Sequence, residues 1–132
     1  GIFQTVRELR HRDDMVFTGY VSDGEKNALY QNAEVFVFPS LYEGFGIPPL
    51  EAMAHGCPVV CANAASLPEV AGGAAELVDP LEVEGIAAGI WRVLSDGAYA
   101  RQLTENGRIQ ARKYTWESSA ERLMSLCREL GR

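Results

Sequence analysis

The sequence predicts an α/β protein in which a Rossmann-like parallel sheet is covered by helices on both faces. Short, largely apolar runs occur at 34–38, 57–62 and 75–78, and the first of them is rich in β-branched and aromatic residues, which is typical of buried parallel strands. A further apolar run at 15–18 is predicted to be the first strand. Helical patterns separate these runs, and such alternation favours a parallel sheet with right-handed crossovers.

A capping signal predicts the helix between the first two strands. Ser22 is followed three residues later by Glu25, the pattern in which each side chain bonds the other's backbone N–H group. This pair predicts a helix over 23–32. Ala28 and Leu29 are expected to face the core.

The remaining helices are predicted from caps and from three- and four-residue spacing. Ser66 and Glu69 repeat the capping-box pattern and predict a very short helix, which the glycines at 72–73 should stop. In the last helix an apolar stripe favours packing in the core over a ligand site, and it consists of Ala120, Leu123, Met124 and Cys127. The other helical patterns lie at 2–11, 83–94, 98–113 and 116–130.

The bulk composition fits one soluble domain. The chain has 132 residues, of which 47% are hydrophobic and 23% are charged, and this length can bury a core. The net charge of −6 argues against a nucleic-acid partner, because polyanions bind clustered Lys and Arg. The sequence has no signal-peptide core and no membrane-length apolar run, so a cytoplasmic location is predicted.

The cysteines and histidines predict neither a disulfide framework nor a metal site. Three cysteines without a Cys-x-x-Cys pair indicate a reducing compartment. Cys57 and Cys61 are interpreted as small apolar core residues. His11 and His55 lack metal-ligand spacing. We therefore predict no metal and no cofactor.

The stretch 39–51 organises the rest of the chain. It follows the apolar run at 34–38 and begins with a loop that contains two glycines. Two prolines at 48–49 are predicted to open a helix over 50–55, which Gly56 closes. The first turn of a helix presents unpaired N–H groups and the positive end of the helix dipole. A strand, a glycine loop and a helix N-terminus together suit a phosphate or another anion.

Two carboxylates flank this predicted anion site. Glu43 lies on the loop, and Glu51 is expected in the first helical turn. Carboxylates accept hydrogen bonds, so both side chains could bind sugar or ribose hydroxyls. Alternatively, Glu43 is a solvated loop acid and Glu51 complements the helix dipole. Spacing alone favours these alternatives.

The string PSLYEGFGIPPLEAMAHGCPVV resembles the signature of the retaining group 1 glycosyltransferases, glycosyltransferase family 4. The hallmark of that family is a pair of glutamates separated by seven residues, here Glu43 and Glu51. The resemblance extends from about residue 13 to about residue 120. Supporting segments lie at 17–22, 66–70, 77–80 and 114–117.

The resemblance implies a fold and a role for each motif residue. In the family, two Rossmann-like domains form the GT-B fold: the C-terminal domain holds a nucleoside diphosphate sugar, and the N-terminal domain holds the acceptor. Residues 1–132 resemble part of the C-terminal domain. The resemblance implies that Glu43 contacts donor-sugar hydroxyls beside the reacting carbon and that Glu51 binds the ribose. Backbone contacts to the sugar and diphosphate are implied for Gly44, Phe45, Gly46 and Ile47, and contacts to the base for Tyr20 and Val21.

The implied activity is that of a hexosyltransferase. It would move a glycosyl unit from a nucleoside diphosphate sugar to a hydroxyl acceptor, which could be a sugar, a lipid or another molecule, with retention at the anomeric carbon. Family mechanisms are usually drawn as front-face substitution through an oxocarbenium-like ion pair, whose positive charge Glu43 would balance. A double displacement would instead make Glu43 the nucleophile. The sequence identifies no partner carboxylate for that route.

Several family elements have no counterpart in this sequence. They are a strand ending in a glycine–basic pair, a lysine shortly after it, and a second strand ending in a glycine turn; in the family these elements hold the diphosphate. We therefore expect exposed sheet edges and no activity from the isolated chain. The chain is expected to self-associate or to pair with a missing half, and a stable monomer in light scattering would contradict this. Peripheral membrane association is left open for a full-length protein.

Two other functions remain open. The first is a non-catalytic nucleotide-binding or assembly module, which the absent basic residues and acceptor domain support. The second is a GT-B epimerase acting on a nucleotide sugar, which the complete Glu43 and Glu51 signature disfavours. Binding of UDP, GDP or ADP tests the first alternative, and product analysis with and without a sugar acceptor tests the second.

Overall fold

The computed structural model describes residues 1–131 and shows helices alternating with three parallel strands. This alternation and the placement of helices on both faces confirm the predicted fold class. The elements are α1 Ile2–Arg7, a 3-10 turn Arg12–Asp14, α2 Asp23–Asn32, β1 Phe36–Phe38, α3 Ile47–Ala54, β2 Val59–Ala62, α4 Leu67–Ala71, β3 Glu76–Val78, α5 Val83–Ser95, α6 Gly97–Ala111 and α7 Trp116–Leu130.

The strands run in the order β1-β2-β3, so β2 lies in the middle. Phe36 pairs with Val59, and Val60 pairs with Glu76. Every residue of β2 is buried, whereas β1 is half-buried. The prediction that the run at 34–38 forms a parallel strand is therefore confirmed, but the strand lies at an edge of the sheet.

Alternate side chains of the sheet enter two separate cores. Val59 and Cys61 pack with α3 and α4 on one face, in a cluster that includes Met53 and Leu67. Val60 points to the other face, where residues of α5 and α6 surround it. On that second face Tyr99 donates a hydrogen bond to Glu76, and Arg92 pairs with the same carboxylate at 3.2 Å. These contacts join α5 and α6 to the first residue of β3.

The predicted strand at 15–18 is wrong. This segment is irregular, and Val16 is 84% exposed. A strand needs a hydrogen-bonded neighbour, and among residues 1–131 the sheet begins at β1. Phe17 packs instead against Phe3, with ring centroids 5.0 Å apart.

Two predictions about which helix faces are buried are also wrong. In α2 the buried residue is Tyr30, whereas Ala28 and Leu29 are exposed, because α2 contacts α3 through a different face. In α7 no residue is buried, and Leu123 and Met124 are 62% and 56% exposed. No other element within the described residues covers the α7 stripe.

The predicted starts of α2, α6 and α7 are confirmed to within one residue by side-chain caps. The Ser22 and Glu25 capping box is present. Asp96 separates α5 from α6 and accepts hydrogen bonds from the N–H groups of Ala98 and Tyr99. Thr115 caps α7. The helical stripe at 2–11 forms a helix only through Arg7. Among the described residues, no helix combines the length and apolarity needed to cross a bilayer.

Candidate functional site

The candidate site lies at the carboxyl edge of the sheet. Because all three strands are parallel, the loops that follow them meet at one edge, where ligands bind in open α/β sheets. The loop at 39–46 follows β1, and the loop at 63–66 follows β2. The first of these is the predicted glycine loop.

The glycine loop turns into α3 at Gly46. This residue is the N-cap of α3 and has φ +103 and ψ +49, a conformation that side chains disfavour. A Cβ atom at Gly46 would lie 2.7 Å from Cδ2 of Leu67. Backbone torsion and space therefore both require glycine at this position. Because the turn occurs at Gly46, α3 begins at Ile47, earlier than the predicted residue 50.

Ser66 links the two loops. Its hydroxyl lies 3.0 Å from the carbonyl oxygen of Glu43 and 2.9 Å from that of Phe45, and it can donate to either. The predicted capping role of Ser66 is wrong, because no cap hydrogen bond forms. Its φ −79 and ψ −14 are helical, whereas an N-cap residue normally adopts extended backbone. The hydroxyl is thus available to hold the glycine loop.

The glycine loop carries a row of unpaired donors. The backbone N–H groups of residues 44–47 take part in none of the loop, turn or cap hydrogen bonds found within residues 1–131. Pro48 and Pro49 follow and have no N–H group. The donors that α3 and its loop can offer to a ligand are therefore concentrated in Gly44, Phe45, Gly46 and Ile47. Consecutive N–H groups of this kind bind anions.

Glu43 lies at the start of this row of donors. Its side chain is half-buried, and the Ser40 hydroxyl donates to its Oε1 at 2.9 Å. The same hydroxyl lies 3.2 Å from the carbonyl oxygen of Tyr42. Ser40 therefore restrains one carboxylate oxygen, and the remaining acceptor positions of Glu43 stay available to a ligand hydroxyl.

Glu51 is held by α2. The ammonium of Lys26 lies 3.0 Å from Oε1, and the hydroxyl of Tyr30 lies 3.4 Å from Oε2. The hydrogen bond to this carboxylate raises the pKa of Lys26. Because α3 begins at Ile47, Glu51 lies in the second helical turn, so its predicted placement in the first turn is wrong.

Tyr20 and Val21 directly precede the N-cap residue of α2, and no hydrogen bond joins either residue to Glu43 or Glu51 among residues 1–131. They line an open groove of about 490 Å³ with Thr18, Glu25, Ala28 and Leu29. Tyr20 is 96% exposed. The structure thus places both residues just before α2, six and five positions ahead of Lys26 in the sequence.

Four residues of the site were missed from the sequence: Lys26, Tyr30, Ser40 and Ser66. Lys26 and Tyr30 are four positions apart and therefore share a face of α2, which was the available signal. Ser40 lies three positions before Glu43, and its contact depends on the turn of the loop. The contact of Ser66 joins residues 21 and 23 positions apart, for which local sequence gives no signal.

Comparisons with known proteins identify relatives along most of the chain. A family model described as "Glycosyl transferases group 1" matches residues 2–110. The O-antigen chain mannosyltransferase B of Escherichia coli is 47% identical over 102 residues, which are 77% of this chain and 27% of that protein. The MMP alpha-(1->4)-mannosyltransferase of Mycolicibacterium hassiacum is 39% identical over 125 residues, which are 92% of this chain and 30% of that protein.

A solved structure shares the fold. The sucrose-phosphate synthase of Thermosynechococcus elongatus superposes with a TM-score of 0.87 and 34% identity, over 98% of this chain and 33% of that protein. The chain therefore spans 27%, 30% and 33% of the lengths of these three proteins.

Proposed function

The chain belongs to the glycosyl transferases group 1 family, and we propose that it forms the donor-binding part of a retaining glycosyltransferase. The reaction is transfer of a glycosyl unit from a nucleoside diphosphate sugar to a hydroxyl acceptor. Both curated relatives described above are named as mannosyltransferases. We therefore propose a hexose, with mannose as the first candidate, as the transferred sugar.

The row of unpaired N–H groups beside a half-buried carboxylate is the observation that carries this proposal. A nucleoside diphosphate sugar presents an anion next to a set of hydroxyls. The N–H groups of 44–47 suit the diphosphate, and Glu43 suits the sugar hydroxyls. Glu51 lies farther along α3, where its carboxylate can accept hydrogen bonds from the ribose. Along the chain, Glu43, the N–H groups of 44–47 and Glu51 thus occur in the same order as the sugar, the diphosphate and the ribose of such a donor.

The arrangement supports stabilisation of the leaving group. As the bond between the anomeric carbon and the phosphate breaks, negative charge grows on the phosphate, and N–H donors that are already oriented stabilise it. The carboxylate of Glu43 balances positive charge on the sugar ring. Ser40 donates to Glu43 and keeps it oriented. In this front-face mechanism the departing phosphate takes the acceptor proton, and Glu43 forms no covalent bond.

Calorimetry tests the proposal. We expect the 132-residue chain to bind one of UDP, GDP and ADP. Glu51→Ala should weaken that binding about tenfold or more, because it removes the charged acceptor to which the ribose hydroxyls donate hydrogen bonds. Glu84→Ala provides a matched control, because Glu84 is an exposed acid of α5. Absence of binding for all three nucleotides, or equal effects of the two substitutions, would contradict the donor-site assignment.

A further inference from the structure

The contacts of Glu51 point to a role for α2 beyond packing. We propose that Lys26 and Tyr30 are positioning residues, which hold the Glu51 carboxylate in the orientation that accepts hydrogen bonds from the two hydroxyls of a nucleotide ribose. This inference rests on the proposed function, since it assigns Glu51 to the ribose.

Each oxygen of the Glu51 carboxylate has its own donor. Lys26 Nζ lies 3.0 Å from Oε1, and the Tyr30 hydroxyl lies 3.4 Å from Oε2. Both donors come from one helix, one turn apart. Contacts at both oxygens fix the plane of the carboxylate as well as its position. The side chains of Lys26 and Glu51 are each 34% exposed, so a ligand can still reach the pair.

Tyr30 is a rigid donor. It is only 8% exposed. Its ring packs edge-on against Phe36, with ring centroids 5.2 Å apart, and lies at 31° to the ring of His55, with centroids 5.8 Å apart. The ring of His55 in turn lies 2.8 Å from the backbone carbonyl oxygen of Glu51. The hydroxyl of Tyr30 is therefore fixed by the same packing that fixes the backbone of α3.

Lys26 is the second donor, and its long side chain is held by two carboxylates. Its ammonium lies 3.4 Å from Asp23, in addition to the contact with Glu51. Two carboxylates thus restrain a side chain that would otherwise sample many rotamers. Replacing the ammonium by a methyl thioether, in Lys26→Met, preserves most of the stem and removes the charge.

The number of acceptor positions fits a diol. An ionised carboxylate has about four lone-pair positions, and α2 occupies one on each oxygen. One position on each oxygen remains, which matches two neighbouring hydroxyls. Because the carboxylate is already ordered in the free protein, less rotamer entropy is lost when the ribose binds.

The first experiment tests positioning in the free protein. The sequence contains only two lysines, Lys26 and Lys113, so lysine labelled with ¹³C gives two ε-CH₂ signals, which Lys113→Met assigns. Lys113 serves as the internal reference, because its ammonium donates to the neutral amide oxygen of Gln110 at 2.9 Å. We expect Glu51→Gln to move the Lys26 signal and to leave the Lys113 signal in place. An unmoved Lys26 signal would overturn the positioning role.

The second experiment tests the ribose. Affinities for UDP, GDP and ADP are compared with those for their 2′,3′-dideoxy counterparts by calorimetry. Lys26→Met should weaken binding of the ribonucleotide about two- to fivefold, a typical value for losing one partly exposed ion pair. It should leave the dideoxynucleotide unchanged. Lys26→Arg should restore most of the difference, whereas Lys113→Met should behave as the wild type.

The outcomes separate this inference from the proposed function. If Lys26→Met weakens both nucleotide types equally, the lysine has a general structural role and the inference is overturned. If the wild type distinguishes ribose from dideoxyribose and Lys26→Met preserves that discrimination, the inference is again overturned while the donor site stands. If the wild type binds no nucleotide, the proposed function and the ribose assignment both fail, and the NMR result alone decides whether Lys26 orders Glu51.

Discussion

Gly46→Ala is the substitution that most directly tests the structure of the glycine loop. Gly46 has φ +103 at the N-cap of α3. A methyl group there would lie 2.7 Å from Cδ2 of Leu67, which is 1% exposed and cannot move into solvent. The substitution therefore combines a disfavoured backbone conformation with an overlap in the core.

The two contributions can be added from known magnitudes. A left-handed conformation costs a side chain about 1–2 kcal/mol, and inserting a methyl group into a packed core costs about 1–3 kcal/mol. We expect Gly46→Ala to lower the free energy of unfolding by about 2–5 kcal/mol. This is a large share of the about 5–15 kcal/mol typical of whole proteins. The melting temperature should fall on the order of 10 °C.

Two other glycines separate the contributions. Gly73 has φ +81 with no atom within 4 Å of a Cβ, so Gly73→Ala carries the backbone cost alone. Gly44 has neither a positive φ nor a near neighbour, so Gly44→Ala should change stability by less than about 0.5 kcal/mol. The effect of alanine on the unfolded chain is common to all three variants and cancels in their differences.

Urea unfolding followed by circular dichroism at the helix band is the appropriate assay. Trp91 and Trp116 are 70% and 88% exposed, so tryptophan fluorescence would report weakly on folding. The expected order of destabilisation is Gly46→Ala, then Gly73→Ala, then Gly44→Ala. The account of the loop is refuted if Gly46→Ala is no less stable than Gly73→Ala.

Two further predictions follow from the pKa values of one partly buried tyrosine and two buried cysteines. Burial, and then the hydrogen bond to Glu76, raise the pKa of Tyr99 to about 12, so its contribution to stability is complete below about pH 10 and is lost as the pH rises toward about 12. Urea unfolding across that range should show a fall that Tyr99→Phe reduces, and an identical fall in the variant would refute this assignment. Burial raises the pKa of Cys57 and of Cys61 to about 11, whereas Cys127 is exposed. At pH 8 a thiol reagent should therefore modify only Cys127 in the native chain and all three cysteines in denaturant, and fast modification of a second native thiol would contradict the burial.

The sequence predicted the fold correctly where a local apolar or capping pattern coincides with the contacts that the segment makes in the structure. The runs that became β2 and β3 are apolar and bounded by turn residues, and the capping box at Ser22 depends only on residues within one turn. The segment at 15–18 has an equally apolar pattern but forms no strand. A strand depends on a hydrogen-bonding neighbour, and composition does not report whether one is present. The prediction that the apolar stripe of α7 is buried was wrong for the same reason. An amphipathic pattern shows which face of a helix is suited to burial, but it does not show whether another element covers that face.

The candidate site was predictable in its position but not in its contacts. The glycines, the prolines and the two glutamates are adjacent in sequence, so the loop and the start of α3 could be expected together. The donors to Glu51 come from α2, and the donor to the loop carbonyls comes from Ser66. Those contacts depend on how separate elements pack, and only the structure contains that information.

The link between the glycine loop and α4 limits how the motif can be transplanted. Residues 39–51 form one continuous segment of sequence, which suggests that the segment could be moved as a cassette. Its conformation, however, depends on the hydroxyl of Ser66 and on the side chain of Leu67 beneath Gly46. A protein engineer who grafts the cassette onto another parallel sheet would need to move the turn after β2 with it. The structural unit is therefore the loop after β1 together with the turn after β2, and a chimera with its boundary between residues 56 and 66 would divide it.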